Sequence, residues 1–313
     1  MFFHLFAPLV LSMTFFLLLA ILTTSSSTLI QVRFNPSGIP IIGAEFGLLR
    51  TQVRPHVVHL GGHGVTMIAG AQGTGRLRPV NIGFHIPTIN GERIRNVHHR
   101  WVQLCGESST IGIGPGSVLL EAGISIDFVR QSIDRGFLRL GGSEQEFIAN
   151  GCLPDSITRM ETFVSENVFN PRVVTRVAVS LGENQIATNF VSYFHSDEFL
   201  LTMPQVWLAG MFALLPPQSG ERLESRTVFI DCAETMQRLP IITLTFTAGG
   251  LRLLPEDYTR RTGQEEDTCE LLIGQLPEWE AEGTIRFNPL LIPGINARST
   301  ENEIILCDSS VDL

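Results

Sequence analysis

Past residue 30 the chain runs as short apolar stretches broken by Gly and Pro. The segments 173–182 (VVTRVAVSLG), 227–232 (TVFIDC) and 240–255 (PIITLTFTAGGLRLLP) are rich in β-branched and aromatic residues and predict strands bounded by turns. Ala248-Gly249-Gly250 sits between two alternating runs and predicts a hairpin turn. Helical spacing is scarce. Ile126, Val129 and Ile133 share one face of a helix over 126–136, with Gly136 as its stop. Pro204 begins a second predicted helix that runs to Leu215. The class expected is all-β with a few short helices. No repeat of solenoid length is visible.

The N-terminal stretch departs from this pattern. Leu5 to Leu22 (LFAPLVLSMTFFLLLAIL) is charge-free and strongly apolar, and small polar residues follow it. A cleaved signal peptide over 1–25 is the expectation, with a retained signal-anchor as the alternative. The protein is then secreted, and membrane-bound only if that segment stays on. Cys105, Cys152, Cys232, Cys269 and Cys307 form no C-x-x-C pair, so disulfides suit them better than zinc. Asn35 is followed by Pro, which leaves the chain without a usable glycosylation sequon. The net charge of −9 excludes nucleic acid as the main partner. Every cation other than histidine is Arg, since the sequence contains no Lys.

Other candidate chemistry is thin. His56, His59 and His63 suggest a metal site, yet residues three apart on a strand face opposite sides, and Gly61-Gly62 breaks any helix that would gather them. No metal and no cofactor is expected. His98-His99 reads as a solvated basic edge. GAQGTG (70–75) and GIGPGS (112–117) lack the Lys-Ser/Thr of a phosphate-binding loop and read as turns. Ser196, His195 and Asp197 are adjacent on one stretch and cannot converge as a hydrolase triad.

Residues 231–258 read DC-AETMQR-LP-IITLTF-TAGG-LRLL-PEDY, and Cys269-Glu-Leu-Leu-Ile-Gly follows. This order resembles the C-terminal lobe of pepsin-like aspartic proteases. Weaker likenesses extend outward. SSTIGIGPGS (108–117) is similar to a segment ending the family's first half-lobe, with its Asp missing. FVRQSIDRGFL (128–138) resembles the helix that follows it, EFIANGCL (146–153) the next strand, EGTIRF (282–287) a later strand, and NARSTENEIILC (296–307) the final hairpin. The resemblance implies a bilobal all-β fold: an N-terminal lobe over 26–172, shortened and degenerate, and a C-terminal lobe over 173–313. It also implies a disulfide between Cys232 and Cys269. Closing that 37-residue loop contributes roughly 4 kcal/mol in the chain-entropy model.

Such enzymes place one carboxylate on a tight Asp-Thr/Ser-Gly turn in each lobe, and the two share a proton, so one activates water while the other polarises the carbonyl. Counting back from Pro204, the second turn falls on His195 where the family has Asp, Ser196 for Thr/Ser, Asp197 for Gly and Glu198 for Thr. Asp197 is a carboxylate displaced by two residues, about 6–7 Å along a strand, far outside catalytic tolerance. No Asp precedes Asp127, and the first-lobe strand that should carry the partner carboxylate is expected to be missing. The implied function is a pseudoprotease that binds peptides or proteins in its cleft. The alternative is an active endopeptidase with a displaced dyad.

Overall fold

The computed structural model describes residues 28–46, 54–61, 65–66, 77–78, 84–87, 93–95, 102–103, 110–115, 117, 120, 125–164, 173–194, 199–213, 220–223, 226–262, 267–276 and 283–310. Within these, three sheets of 14, 8 and 4 strands form the molecule, and the helices are short. The N-terminal apolar segment and Cys105 lie outside the described residues. Among the described residues no helix is long and apolar enough to cross a membrane.

Six neighbouring strands of the largest sheet make a floor, in the order Thr158–Glu161, Glu303–Asp308, Ile295–Ser299, Ile126–Arg130, Arg135–Leu140 and Thr28–Phe34. The first and the last described strands, Thr28–Phe34 and Glu303–Asp308, belong to this same sheet. Because side chains alternate along each strand, registered residues share a face. One face carries Ile30, Leu138, Phe128, Ala297, Leu306 and Thr158 in one cross-strand row, all buried in the main core. The opposite face carries Leu29, Arg139, Asp127, Arg298, Ile305 and Arg159 in another row. Asp127 is completely buried, and its carboxylate accepts from Arg298 Nη1 at 2.5 Å and from Arg139 Nε at 2.8 Å and Nη2 at 2.6 Å. Arg298 also donates to the Gly142 carbonyl at 2.9 Å, just ahead of the helix Glu144–Gly151.

That helix replaces the strand expected over 146–153. Its signal is local: Ser143 accepts from the Glu146 amide while Glu146 accepts from the Ser143 amide, a reciprocal cap readable as Ser-x-x-Glu. The disulfide Cys152–Cys307 fastens the helix end to the last floor strand, with its Cα atoms 5.4 Å apart. Asn296 lies beside it, accepting from the Arg130 amide at 2.7 Å and donating to the Gly151 carbonyl at 2.6 Å.

The helix expected over 126–136 is a hairpin instead, with Ile126 registered on Leu140 and Arg130 on Gly136. Ile133, counted as part of an apolar helical face, is 79% exposed at the hairpin tip. Gly136 is no helix stop; a Cβ there would sit 2.7 Å from the Val129 carbonyl oxygen, so glycine permits the close strand pairing. Sheet partners far apart in sequence outweighed the local period.

The second lobe follows the apolar pattern closely. Strands Val173–Leu181 and Asn184–Phe194 form a long hairpin through Gly182-Glu183, with Gly182 at φ +59°, the left-handed value such a two-residue turn needs at its first position. Ile242–Phe246 and Gly249–Leu253 form the predicted hairpin, with Gly249 at φ +116°. The helix Gln205–Phe212 follows Pro204 as expected. Cys232 and Cys269 are buried neighbouring thiols in this structure, not the bonded pair that the resemblance implies. Burial, reinforced by the adjacent Cys232, pushes the Cys269 thiol up to about 12, so the thiolate that starts disulfide exchange is scarce at neutral pH.

Two outcomes follow. Asp127→Asn leaves two guanidiniums facing a neutral group in a buried setting and is expected to cost about 3–5 kcal/mol, read from denaturant unfolding. In reductively purified protein, Cys232 and Cys269 are expected to resist iodoacetamide until the fold is opened; rapid native alkylation of both contradicts their burial.

Candidate functional site

The same crossing of strands occurs in both lobes. In the first, Arg54–His59 runs parallel to Thr110–Gly112, with His59 registered on Gly112. The chain then turns and returns as Val65–Thr66 on the far side of that same segment, antiparallel to it. In the second, Asn184–Phe194 runs parallel to Thr284–Phe287, and Leu201–Met203 returns antiparallel on its far side. Each lobe thus has a middle strand held between two arms that follow one another in the sequence.

The turns meet. Gly61 is buried, and a Cβ at that position would overlap the carbonyl oxygen of Phe194. The last strand residue before the second turn therefore touches the first turn through backbone. A second close approach supports the first turn from below: a Cβ on Gly114 would overlap the Leu60 carbonyl oxygen. Glycine at both positions is a steric requirement, since neither obstacle is a side chain able to swing away. Hydrogen bonds brace the same ground, with the Ile113 amide donating to the His59 carbonyl and the Leu200 amide to the Leu272 carbonyl, each at 2.8 Å.

This corrects one expectation. The first-lobe strand thought missing is present as Arg54–His59, and the turn after it begins with Leu60-Gly61. The segment Leu60-Gly61-Gly62-His63-Gly64 that follows the strand holds no carboxylate. Its legible trace was the apolar pair Val57-Val58 ahead of a Gly-Gly turn, together with Thr-Ile-Gly-Ile-Gly at 110–114.

His195, Ser196, Asp197 and Glu198 lie outside the described residues; the flanking Phe194 is buried at the meeting point, and Phe199 packs its ring over Gly274. His56 is buried on its strand, registered on Ile42, and His59 is half-buried. His63 lies outside the described residues. Among the described residues no group of three or more His, Cys, Asp or Glu is placed to hold a metal ion. Beyond the second turn, Phe190 and Trp207 stack with centroids 4.5 Å apart and planes 15° off parallel, joining the long hairpin to the helix Gln205–Phe212.

Comparison with solved structures finds basic 7S globulin from soybean, with a TM-score of 0.60 over 90% of this chain and 94% of that chain, at 10% sequence identity. The fold is aspartic-protease-like. The likeness is one of fold, and no protein-family model and no curated protein sequence matches the chain. The two chains share an arrangement of strands with little sequence in common.

Substituting Gly61 or Gly114 by Ala is expected to cost at least about 1–3 kcal/mol, as overpacking against fixed backbone does. Gly210→Ala, on an exposed helix position with nothing within 4 Å, is expected to stabilise by up to about 1 kcal/mol. Comparable unfolding midpoints for all three variants contradict the assigned backbone contact.

Proposed function

We propose that the protein is a secreted aspartic-protease-like pseudoenzyme whose interlobe cleft binds peptides or proteins without cleaving them. The observation that carries this reading is the close approach of Gly61 to the Phe194 carbonyl, which supports placing the two crossings side by side. On the first turn the sequence is Leu60-Gly61-Gly62-His63-Gly64, with no carboxylate, and on the second His195 follows Phe194 directly. A general-base mechanism needs a group that takes a proton from water and a partner that polarises the carbonyl. A leucine and a glycine do neither. Removing a member of such a unit costs several powers of ten in rate.

Peptide capture has other requirements. Strand edges hydrogen-bond an extended chain and pockets read alternate side chains, and both depend on the two-lobed scaffold rather than on acid–base groups. Secretion is supported by the apolar segment 5–22 and by the Cys152–Cys307 disulfide, a bond that persists in oxidising compartments.

The test is incubation with a denatured globular protein between about pH 3 and pH 6, the range where paired carboxylates share a proton, with a pepstatin-type inhibitor in parallel. The expected result is an intact substrate. Cleavage that the inhibitor stops supports the displaced-dyad endopeptidase instead.

A further inference from the structure

The second lobe holds the floor at both of its edges, and the two attachments differ in kind. Thr158–Glu161 and Thr28–Phe34 are the outer strands of the six, five inter-strand spacings apart, which is roughly 24 Å across the sheet. At the Thr158–Glu161 edge the attachment is backbone and covalent. The Arg159 amide donates to the Ala248 carbonyl and the Thr158 hydroxyl to the Gly250 carbonyl, each at 3.1 Å. The chain itself leaves the floor here, through Phe163–Val164, which pair with Val173 and Val174 of the second lobe. The Thr175 hydroxyl then donates back to the Glu161 carbonyl at 2.8 Å.

At the Thr28–Phe34 edge the attachment is a side chain. The turn after Phe34 is built to present one carbonyl. The Asn35 side chain accepts from the amides of Ser37 at 3.0 Å and Ile39 at 2.9 Å, and Gly38 closes the turn at φ +74°. Arg260, on the strand Thr259–Arg261 of the four-stranded sheet, reaches across and donates from Nη1 to the Ser37 carbonyl at 2.9 Å. Its Nη2 donates to Glu270 at 2.7 Å, directly opposite on the neighbouring strand. The guanidinium therefore keeps one nitrogen on its own lobe and places another on the first.

This division makes the two edges unequal. When the Ser37 carbonyl withdraws it meets water, because Ser37 is half-buried only, and Glu270 still neutralises Arg260. No buried charge is orphaned, which is the costly outcome elsewhere in a fold. Opening at the far edge breaks several hydrogen bonds at once and is limited by the chain crossing there. A body fixed along one edge and held by one contact at the other moves by rotation about the fixed edge.

We propose that Arg260 is a latch between the lobes, with the Thr158–Glu161 edge as the hinge and the Arg260–Ser37 hydrogen bond holding the opposite edge shut. An arginine suits the task because its planar fork serves Glu270 and Ser37 together, whereas an ammonium is a point charge. The latch rests on the two-lobed fold and not on what the cleft binds.

The test is hydrogen exchange of the full chain read by mass spectrometry, with small-angle scattering in parallel. Arg260→Met keeps the apolar stem and removes the donors. It is expected to raise exchange over residues 34–39 about tenfold, the weight of one charge-assisted hydrogen bond. Residues 158–161 are expected to keep the parent rate, and the radius of gyration to increase. Arg260→Lys keeps the charge without the fork and is expected to fall between parent and Arg260→Met; it carries the test if the methionine variant lacks a cooperative thermal transition. Arg261→Met is the control, since its guanidinium is 69% exposed and only 3.8 Å from Asp267, and it is expected to match the parent. Unchanged exchange over 34–39, an increase confined to 259–271, equal acceleration at 158–161, the same response in Arg261→Met, or an unchanged radius of gyration overturns the proposal.

Discussion

Two backbone contacts set the geometry on which the molecule depends. The first turn presses against the Phe194 carbonyl through Gly61, and Gly114 lies beneath the Leu60 carbonyl with no room for a methyl group. These contacts fix how closely the crossed strands of the two lobes approach. Once that distance is set, each middle strand is clamped between its arms and the remaining sheets pack outward. Backbone cannot rotate away as a side chain can, so the constraint tolerates wide change elsewhere while demanding glycine at these two positions.

The floor sheet answers a different problem. A sheet shared by both lobes needs one face for the core and another that a helix can cover. Asp127 resolves the charges on the second face, neutralising Arg298 and Arg139 within the row. It is the first aspartate in the chain, and its work is structural. That carboxylate is buried between two guanidiniums, whereas the sequence Leu60-Gly61-Gly62-His63-Gly64 holds none. The likeness to soybean basic 7S globulin at 10% identity fits a scaffold held by such packing and pairing rather than by particular surface residues.

What could be read from the sequence depended on range. The hairpins Val173–Phe194 and Ile242–Leu253 are local, with alternating apolar residues and a positive-φ glycine at the turn, and both were legible. The segment 126–136 was misread because its partners, Arg135–Leu140 and Ile295–Ser299, include a strand from the far end of the chain. The helix Glu144–Gly151 carried its own signal in Ser143 and Glu146, which was overlooked in favour of alignment to a strand. The first turn was hidden for a chemical reason. Leu60-Gly61 carries no carboxylate to mark it, only the glycine that a close backbone approach requires. Downstream of residues 195–198, the strand Leu201–Met203 and the helix after Pro204 were legible.

The proposed pseudoenzyme requires that no working pair of carboxylates stands where the two crossings approach at Gly61 and Phe194. A calorimetric titration of the full chain with a pepstatin-type inhibitor at acid pH tests it directly, because such inhibitors present a hydroxyl to a carboxylate pair sharing one proton. The account predicts no saturable heat. One-to-one binding that is abolished by Asp197→Asn contradicts it, and would place a working carboxylate at the second turn after all.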